Sequence, residues 1–290
     1  MRNLFSKSTK RTFLPFIAVF LSMWGGTSCS PKTVELTEEE TIQCYDFTGF
    51  HGIEADGIYE IRLVSAARDS VCVRADSALL PYLEVEEKNG ILHFGFKEAV
   101  RLGQQNARVV AEVFYAGVGM NALRASGASK IRIENELHAS NLEVRLTGAS
   151  NLEGRIKVHE NLKIFMSGAS SYRGDCMVNG QAKLKIAGAS VYEGNFTVAG
   201  KANIELAASN IIWSGFVEKA DMQLSGASHV HGFEMMVEEL FLIASGASDM
   251  DITVNRKLKA RVSGSSDIRY QGTPSVESTV NGAGSVVPVR

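Results

Sequence analysis

Proline, cysteine and aromatic residues are all scarce in this chain of 290 residues, which has 5 prolines, 4 cysteines and 8% aromatics. So little proline, beside 27 glycines, excludes collagen and proline-rich disorder. The cysteines form no Cys-x-x-Cys pair and no Cys/His spacing of the zinc-binding kind. The chain has no P-loop, Rossmann fingerprint, G-x-S-x-G or H-E-x-x-H motif, so the sequence predicts no cofactor.

A large excess of one charge is also missing, since 30 basic residues face 32 acidic ones. The basic residues Arg2, Lys7, Lys10 and Arg11 precede an apolar stretch, FLPFIAVFLSMWGG, that is short for a transmembrane helix. This pattern is typical of a secretory signal peptide, which we place at residues 1–28. Its removal would take away those four basic residues and leave a net charge of −6. An acidic chain argues against nucleic acid as a partner.

Cys29 follows small residues at the end of this segment, in the sequence TSCS. It resembles the lipobox cysteine of bacterial lipoproteins, which is lipidated and becomes the new N-terminus. The resemblance implies that a lipid on Cys29 anchors the chain to a membrane, and that the polar residues 29–43 are a tether. Gly26 departs from the leucine that lipoboxes prefer. Ordinary cleavage near Cys29, giving a soluble periplasmic or secreted protein, is the alternative.

Glycine is concentrated in a four-residue motif, Ser-Gly-Ala-Ser or a close variant, that returns every 18 to 21 residues. An LAASN variant puts Ala208 where the other copies have glycine. A period near 20 residues, sustained along the chain, indicates a repeat architecture. The glycines that mark the motif, and that we predict to form turns, are Gly127, Gly148, Gly168, Gly188, Gly226, Gly246, Gly264 and Gly282.

Apolar residues keep fixed positions relative to each marker, two and four residues before it and four residues after it. Around Gly148 these residues are Val144, Leu146 and Leu152. A spacing of two predicts strands with one buried face, and its return in every repeat predicts repeats stacked about 4.8 Å apart. The sequence therefore predicts an all-β fold, a parallel β-helix with coils of about 20 residues. A leucine-rich repeat has a similar period, but its Leu/Asn pattern is absent.

The motif suits a corner that must fit beneath its own copy. Small residues allow close approach, glycine adopts φ values that other residues avoid, and stacked serine hydroxyls can pair. Five residues after the marker, the outward position is occupied in turn by Arg132, Glu153, Arg173 and Glu193. Because opposite charges on neighbouring strands attract, this alternation predicts ion pairs between coils.

Residues 44–118 differ from the repeats of residues 119–290, and we predict that they close one end of the solenoid. The segment FTGFHGIEADGIYEIRLV has apolar residues at the spacing of the repeat, which predicts a first coil. The residues concerned are Ile53, Ala55, Gly57 and Ile61.

The segment LEVEEKNGILHFGF predicts a β-hairpin, because Asn89-Gly90 suits a type I′ turn. Cys44 and Cys72 lie on either side of the predicted first coil. An exported compartment permits a disulfide between them, but the sequence alone is equally compatible with two free thiols.

These segments, followed by the ladder of SGAS turns, resemble the family of the putative auto-transporter adhesin, head GIN domain, over residues 47–290. The resemblance implies a β-helical fold and an exported, often lipidated, envelope protein, here an outer-membrane lipoprotein facing the periplasm or the cell surface. The family name suggests adhesion, and no catalytic residues come with it. FYAGVGMNAL lacks the proline that the family often has before its first SGAS, so the entry into the ladder departs from the family pattern.

Candidate functional residues come from the outward positions late in the repeat. If Val230 points inward, His229 and His231 point outward, and Asp249 and Asp251 take the same two positions one coil later. Asp267 follows in the next coil. Imidazole and carboxylate groups are suitable metal ligands, but nothing in the pattern defines a coordination geometry. Cross-strand pairing on a solvated face, with Arg269 beside Asp251, is the simpler interpretation.

The same register predicts Ile212 inside the solenoid and Trp213 exposed beside this face, where an indole could stack on a sugar. We therefore expect a non-catalytic envelope module that binds a protein or glycan. The alternatives are a lectin or carbohydrate-active enzyme that uses the outer face near Asp249 and Asp251, and an envelope sensor or assembly partner.

Overall fold

The alternation of apolar and polar residues becomes strands in which buried and exposed side chains alternate. The computed structural model describes residues 32–102, 107–116 and 119–289, so the predicted signal peptide and Cys29 lie outside the described residues. Residues 31–290 form one compact unit. The predicted all-β solenoid is confirmed, with parallel coils stacked in about eight turns.

The strands are listed here in chain order. They are β1 (Lys32–Val34), β2 (Glu40–Tyr45), β3 (Gly52–Ala55), β4 (Tyr59–Ser65), β5 (Ser70–Asp76), β6 (Leu83–Lys88), β7 (Ile91–Phe96), β8 (Val100–Leu102), β9 (Val109–Tyr115), β10 (Ala122–Ala125), β11 (Lys130–Leu146), β12 (Asn151–Met166), β13 (Ser171–Arg173), β14 (Cys176–Val178), β15 (Gln181–Ala187), β16 (Val191–Ala207), β17 (Asn210–Ser225), β18 (His229–Ala244), β19 (Asp249–Gly264), β20 (Asp267–Gln271), β21 (Ser275–Gly282) and β22 (Ser285–Pro288). Leu80–Tyr82 forms a 3₁₀ turn.

Each coil has three faces, which β12 illustrates. Face A is the segment that follows the Gly-Ala-Ser corner and contains Leu152, face B contains Ile156 and Val158, and face C runs from Leu162 to Met166. All of these side chains are buried. Residues at the same position of successive repeats therefore stack in register through the solenoid, as Ile131, Leu152 and Tyr172 do on face A.

The marker glycines form the corner between faces C and A. All eight have left-handed backbones, with φ between +67° and +122°, and each lies directly on the corner below. A Cβ on Gly168 would lie 2.5 Å from the carbonyl oxygen of Gly148, closer than a carbon can approach. The amide of Ala169 donates to that same oxygen at 2.7 Å. Glycine is needed here both for its φ and for its lack of a side chain.

The last serine of each motif points into the solenoid, where none of the eight is more than 2% exposed. Two of these hydroxyls, on Ser170 and Ser190, pair between coils at 3.1 Å. Others donate to backbone carbonyls of the coil below, as Ser150 Oγ does to the oxygen of Ala125 at 3.1 Å. These serines are thus satisfied by the stacking itself, whereas the buried hydroxyl of Ser129, in the first SGAS corner, has no hydrogen-bond partner among the described residues.

The alternating charges on face A pair as predicted. Arg132 reaches Glu153 at 3.2 Å, and Arg173 reaches Glu193 at 3.3 Å. Because all four side chains are on the surface, each pair contributes little to stability. Their main effect is on register, since a coil shifted by one position would lose its partner.

The predicted first coil is confirmed, since β3 and β4 pair with β10 and β11 above them, and Ile53 and Ile61 align with Leu123 and Ile131. Below this coil lie β7 and β9, which pair in turn with the antiparallel strands β6 and β5. The end of the solenoid is therefore covered rather than left as an open edge.

The hairpin β6–β7 turns at Asn89 and Gly90, which have φ of +53° and +76°. Cys44 and Cys72 lie opposite each other on the antiparallel strands β2 and β5, and they form a disulfide. The choice that the sequence left open is thereby decided, because the strand pairing brings the two Cα atoms to 4.0 Å. The disulfide fixes the outermost strand of this end.

An aromatic stack fills the middle of the solenoid. The ring centroids of Tyr172 and Tyr192, in adjacent coils, lie 4.9 Å apart. The hydroxyl of Tyr172 lies 3.1 Å from Cys176 Sγ. Burial raises the pKa of the Cys176 thiol to about 12. The thiol is therefore protonated and inaccessible, and it serves as packing.

The described residues contain no helix long and apolar enough to cross a lipid bilayer.

Replacing a corner glycine is expected to lower the stability of the solenoid. Gly168→Ala would force a Cβ against the backbone of Gly148 at a left-handed φ, so we expect a loss of about 1 to 3 kcal/mol in the free energy of unfolding. Urea unfolding followed by circular dichroism measures it. Gly95→Ala is the matched control, because its Cβ would meet no atom within 4 Å. Equal stabilities for the two variants would contradict the stacking constraint.

Candidate functional site at the corner of faces A and B

One corner of the stack is a residue shorter than its neighbours. In the LAASN copy, Ser209 occupies the level of Ser190, and the amide of Asn210 donates to the carbonyl of Ser190 at 3.1 Å. In this copy a single residue, Ser209, lies between Ala208 and the first residue of β17. In the other copies two residues, most often alanine and serine, lie between the marker glycine and the strand. Ala208 keeps the left-handed φ of the corner, +55°, without being a glycine.

Because this corner lacks one residue, the side chains on face A of β17 that the sequence predicts inside point outward, and those predicted outside point inward. Ile211, not Ile212, aligns with the buried Tyr192. Ile212 is 46% exposed, whereas Trp213 is buried at 4% exposure. The prediction that Trp213 is exposed is therefore wrong, as is the inward position of Ile212. Side chains alternate along a strand, so a slip of one residue reverses every one of them.

The indole of Trp213 stacks on Phe196, with ring centroids 5.7 Å apart and planes 14° from parallel. Its Nε1 finds no hydrogen-bond acceptor among the described residues. Gly232 lies against this nitrogen, since a Cβ on Gly232 would be 2.4 Å from it. A buried indole usually finds a partner for its N–H, so this orphan donor is unusual.

The next coil carries a bulge further along the chain, at the corner between faces A and B. Gly232 aligns with Ile252 of β19, but the following aligned pair is Met236 with Thr253. Phe233 and Glu234 lie in the bulge, which is held by a bond from Thr253 Oγ1 to the carbonyl of Phe233 at 2.7 Å. β-Bulges redirect side chains and are frequent next to binding sites.

Beside this bulge lies a groove of about 600 Å³, which we call the corner groove. It is lined by Asp175, Asp251 and residues 193–195, 212–214 and 231–234. Exposed carboxylates of Asp175, Glu193 and Glu234 lie along it. The apolar residues that line the groove are Ile212, Trp213 and Phe233. The groove therefore presents hydrogen-bond acceptors beside an apolar surface, which suits a ligand with hydroxyl or ammonium donors.

The His/Asp face adjoins the corner groove and has the register that the sequence indicated. His229, Asp249 and Asp267 stack in one row. His229 Nδ1 lies 3.4 Å from Asp249 Oδ2, and Asp267 Oδ1 accepts a bond from Ser285 Oγ at 2.6 Å. This row is a set of cross-strand pairs on the surface.

The second row contains His231, Asp251 and Arg269. Asp251 is only 8% exposed and accepts two hydrogen bonds from Arg269, from Nε at 2.6 Å and Nη2 at 2.8 Å. A bidentate pair of this kind occupies the carboxylate fully. Among the described residues no three His, Cys, Asp or Glu side chains are placed to hold a metal ion.

Sequence reasoning missed the corner groove because it numbered each copy from the glycine. The buried serine was the better marker. Numbering from Ser190, Ser209 and Ser228 gives steps of 19 residues and places Ile211 inside. The bulge had no comparable signal, because Gly232 is one glycine among many.

A family model described as putative auto-transporter adhesin, head GIN domain, matches residues 49–212 and 177–274. A crystal structure of a putative adhesin from Parabacteroides merdae covers 89% of this chain and 100% of its own, with 20% identity and a TM-score of 0.66. A putative adhesin from Parabacteroides distasonis has the same coverage and identity, and a TM-score of 0.60.

A protein of the same species described as a putative lipid binding protein gives 16% identity and a TM-score of 0.59, again over 89% of this chain and 100% of its own. At these identities the likeness concerns the fold. No curated protein matches the sequence.

The buried indole makes a spectroscopic prediction. Residues 30–290 contain Trp213 as their sole tryptophan, so the fluorescence of this fragment reports one site. We expect blue-shifted emission, protected from acrylamide, that shifts to the red on unfolding in urea. The control is the mutant Trp213→Phe/Ile212→Trp, which puts an indole at the exposed position and should be quenched readily. Similar quenching of the two proteins would contradict the shortened corner.

Proposed function

We propose, because the chain belongs to the family described as putative auto-transporter adhesin, head GIN domain, that it is a non-catalytic, adhesin-like binding module of the bacterial envelope. The corner groove is its ligand site in this proposal. The ligand is a glycan, with a protein segment as the alternative.

The observation that carries this proposal is the coincidence of three features at one groove. The exposed Ile212, the unpartnered Nε1 of Trp213 and the bulge at Phe233 all lie around the corner groove. Departures from local rules are expected where function requires them. The positions of Ile212 and Trp213 follow from the shortened corner, and the bulge is a separate departure, so two changes in the chain converge on this groove and support a site there.

The chemistry of the groove favours a saccharide. Glu234 and Asp175 offer acceptors to hydroxyl groups, while Ile212 and Phe233 offer an apolar surface to the carbon face of a sugar ring. Without residues 1–28 the chain has a net charge of −6, which gives no preference for an anionic ligand in the corner groove. A lysine or arginine of a protein partner would meet the same acceptors, which is why a protein segment is the alternative.

The absence of catalysis is part of the proposal. A glycosidase needs two carboxyl groups that face one glycosidic bond, one as acid and one as base or nucleophile. On the adjoining face both carboxylate oxygens of Asp251 accept hydrogen bonds from Arg269, and one oxygen of Asp267 accepts a hydrogen bond from Ser285. These partners support surface pairing over acid–base chemistry, and they support binding over the enzyme alternative.

Export and a lipid on Cys29 complete the proposal. The charged start, the short apolar stretch and the cysteine after small residues support an outer-membrane lipoprotein that faces the periplasm or the cell surface. A lipid anchor would hold a binding module at the envelope, as either an adhesin or an envelope sensor requires. A soluble periplasmic or secreted protein is the alternative.

The corner groove is tested by binding to an immobilised panel of neutral oligosaccharides. We expect wild type to bind at least one glycan, and the glycan to change the fluorescence of Trp213. Ile212→Glu/Glu234→Lys should weaken binding by about 10-fold or more, equivalent to about 1.4 kcal/mol. The control Met177→Glu changes a residue that is 47% exposed on face B, outside the groove, and should bind normally. Full binding by the groove variant would exclude this site.

The anchor is tested by labelling cells with a fatty-acid precursor. Wild type should incorporate the label and fractionate with membranes, whereas Cys29→Ala should do neither, because the thiol that carries the lipid is lost. Gly26→Leu, which restores the preferred lipobox residue, should be labelled at least as well as wild type. An unlabelled, soluble wild-type protein would establish the secreted alternative.

A further inference from the structure

Neighbouring coils of the solenoid carry opposite charges where their outward side chains pair. Such pairs occur on faces A and C, within 4.0 Å in each case. They are Arg132 with Glu153, Arg173 with Glu193, Lys185 with Glu205, Lys201 with Asp221, Lys259 with Glu277 and Arg269 with Asp251. The arrangement avoids the repulsion that like charges would cause on adjacent strands.

Face C departs from this rule at several places. Arg124 lies opposite Arg145, but Arg124 reaches Glu54. Lys201 lies opposite Lys219, but Lys201 reaches Asp221.

A further like-charge pair has no such ion pair on either member. Lys163 of β12 lies directly opposite Lys183 of β15, and both side chains are exposed. One coil below Lys163 lies Glu143, but this carboxylate already accepts a bond from Arg145 at 2.6 Å. One coil above Lys183 the row continues with the uncharged Asn203.

The pKa of Glu143 reflects the same engagement. The Arg145 guanidinium holds the pKa of this carboxyl below its ordinary range, against the opposing effect of partial burial. Lys163 adds only a weaker attraction through space. Lys163 and Lys183 are therefore direct neighbours across the pairing of β12 with β15, and among the described residues neither has a carboxylate within 4.0 Å.

A row of amides runs parallel to the two lysines. Asn141, Asn161 and Gln181 occupy one outward position in successive coils, and Asn161 Nδ2 donates to Asn141 Oδ1 at 2.9 Å. A groove of about 470 Å³ separates this row from Lys163, Lys183 and Asn203. We call it the amide–lysine groove. It runs along the stacking direction, with equivalent groups repeated about every 4.8 Å.

We propose that the amide–lysine groove binds an acidic polysaccharide, whose carboxylate or sulfate groups pair with Lys163 and Lys183 and whose hydroxyls bond to the amides of Asn161 and Gln181. The like charges that repel each other in the free protein become favourable once an anion lies between them. Amides both donate and accept, as hydroxyl groups do, so their repeat suits a polymer of sugars.

An acidic peptide fits this surface less well. Peptides bind to sheets by adding a strand to a free edge, but β12 and β15 are hydrogen-bonded to strands on both sides. The apolar residues that line the groove, Leu142, Leu162 and Ala182, are interior residues with at most 2% exposure. No apolar pocket is therefore open to a peptide side chain in this groove.

The inference goes beyond the proposed function and does not depend on it. The corner groove carries carboxylates and lies at faces A and B, whereas this groove carries lysines and lies on face C. The two sites therefore select ligands of different charge. The net charge of −6 without residues 1–28 makes general attraction of polyanions unfavourable, so any binding must come from a local arrangement.

The test uses the full chain and four probes: polygalacturonate, dextran sulfate, neutral dextran and poly-glutamate. We expect wild type to bind at least one of the two acidic polysaccharides, to bind neutral dextran and poly-glutamate at least about 10-fold more weakly, and to lose affinity as salt rises. Lys163→Glu/Lys183→Glu should lose about 10-fold or more in affinity for the acidic polysaccharides. Thermal unfolding checks that each variant is folded, and Lys163→Gln/Lys183→Gln replaces a variant that is not.

The matched control is Lys257→Glu/Lys259→Glu, which makes the same change in charge on face C, away from the groove. It should retain binding within about 2-fold, since its effect is only long-range. Equal losses in both double mutants, or no binding of either acidic polysaccharide at low salt, would overturn the proposal. Binding of poly-glutamate as tight as that of the polysaccharides would assign the groove to acidic peptides instead.

Asn161→Ala/Gln181→Ala separates the roles of the amides and the lysines. It should weaken polygalacturonate binding while leaving any residual poly-glutamate binding unchanged, and an unchanged affinity for polygalacturonate would remove the saccharide from the proposal. Ile212→Glu/Glu234→Lys should bind acidic polysaccharides as wild type does, so failure of the corner groove and failure of this groove are told apart.

Discussion

The stacking of each coil on the one below, at the spacing of a single β-ladder, is the constraint on which the rest of this structure depends. It requires a corner that fits beneath its own copy, and Gly-Ala-Ser provides one. Gly168 approaches the carbonyl of Gly148 where no Cβ would fit, and Ser170 and Ser190 share a hydrogen bond inside the solenoid. The same contact repeats along the chain, so local errors would propagate through neighbouring coils.

Because each coil stacks in register on its neighbours, an irregularity in one coil stands out more clearly than it would in most folds. One missing residue between Ala208 and Asn210 turns Ile212 outward and Trp213 inward. One coil later the chain bulges after Gly232, where face A meets face B. β17 pairs with β16 in unbroken register from Asn210 to Val217, so the shortened corner does not disturb the strand that follows it. A rigid scaffold with one altered corner is well suited to holding a binding groove in a fixed shape.

The surface charges follow the same logic. Opposite charges on neighbouring coils help to maintain register, as with Arg173 and Glu193, while contributing little to stability. The stacked pair Lys163 and Lys183 serves neither purpose. A solenoid offers long rows of equivalent side chains, and such rows match repeating ligands better than they match compact ones. This match of repeating groups is the physical basis of the polymeric ligand proposed for the amide–lysine groove.

The sequence by itself determined the repeat, the strands, the small-residue corners, the first coil and the hairpin at Asn89-Gly90, because each depends on residues close together or on a period that repetition makes visible. It also indicated the rows of His229 with Asp249 and of Asp251 with Arg269, since register follows directly from the period.

The packed coils settled which side of β17 is buried, because one residue more or less in a corner reverses the alternation without changing the composition. Numbering from the serines gives the same answer, but the structure is what shows that the serine, and not the glycine, keeps its level from coil to coil. The Cys44–Cys72 disulfide and the two grooves likewise depend on which strands become neighbours, and that is a property of the packed coils rather than of any segment of sequence.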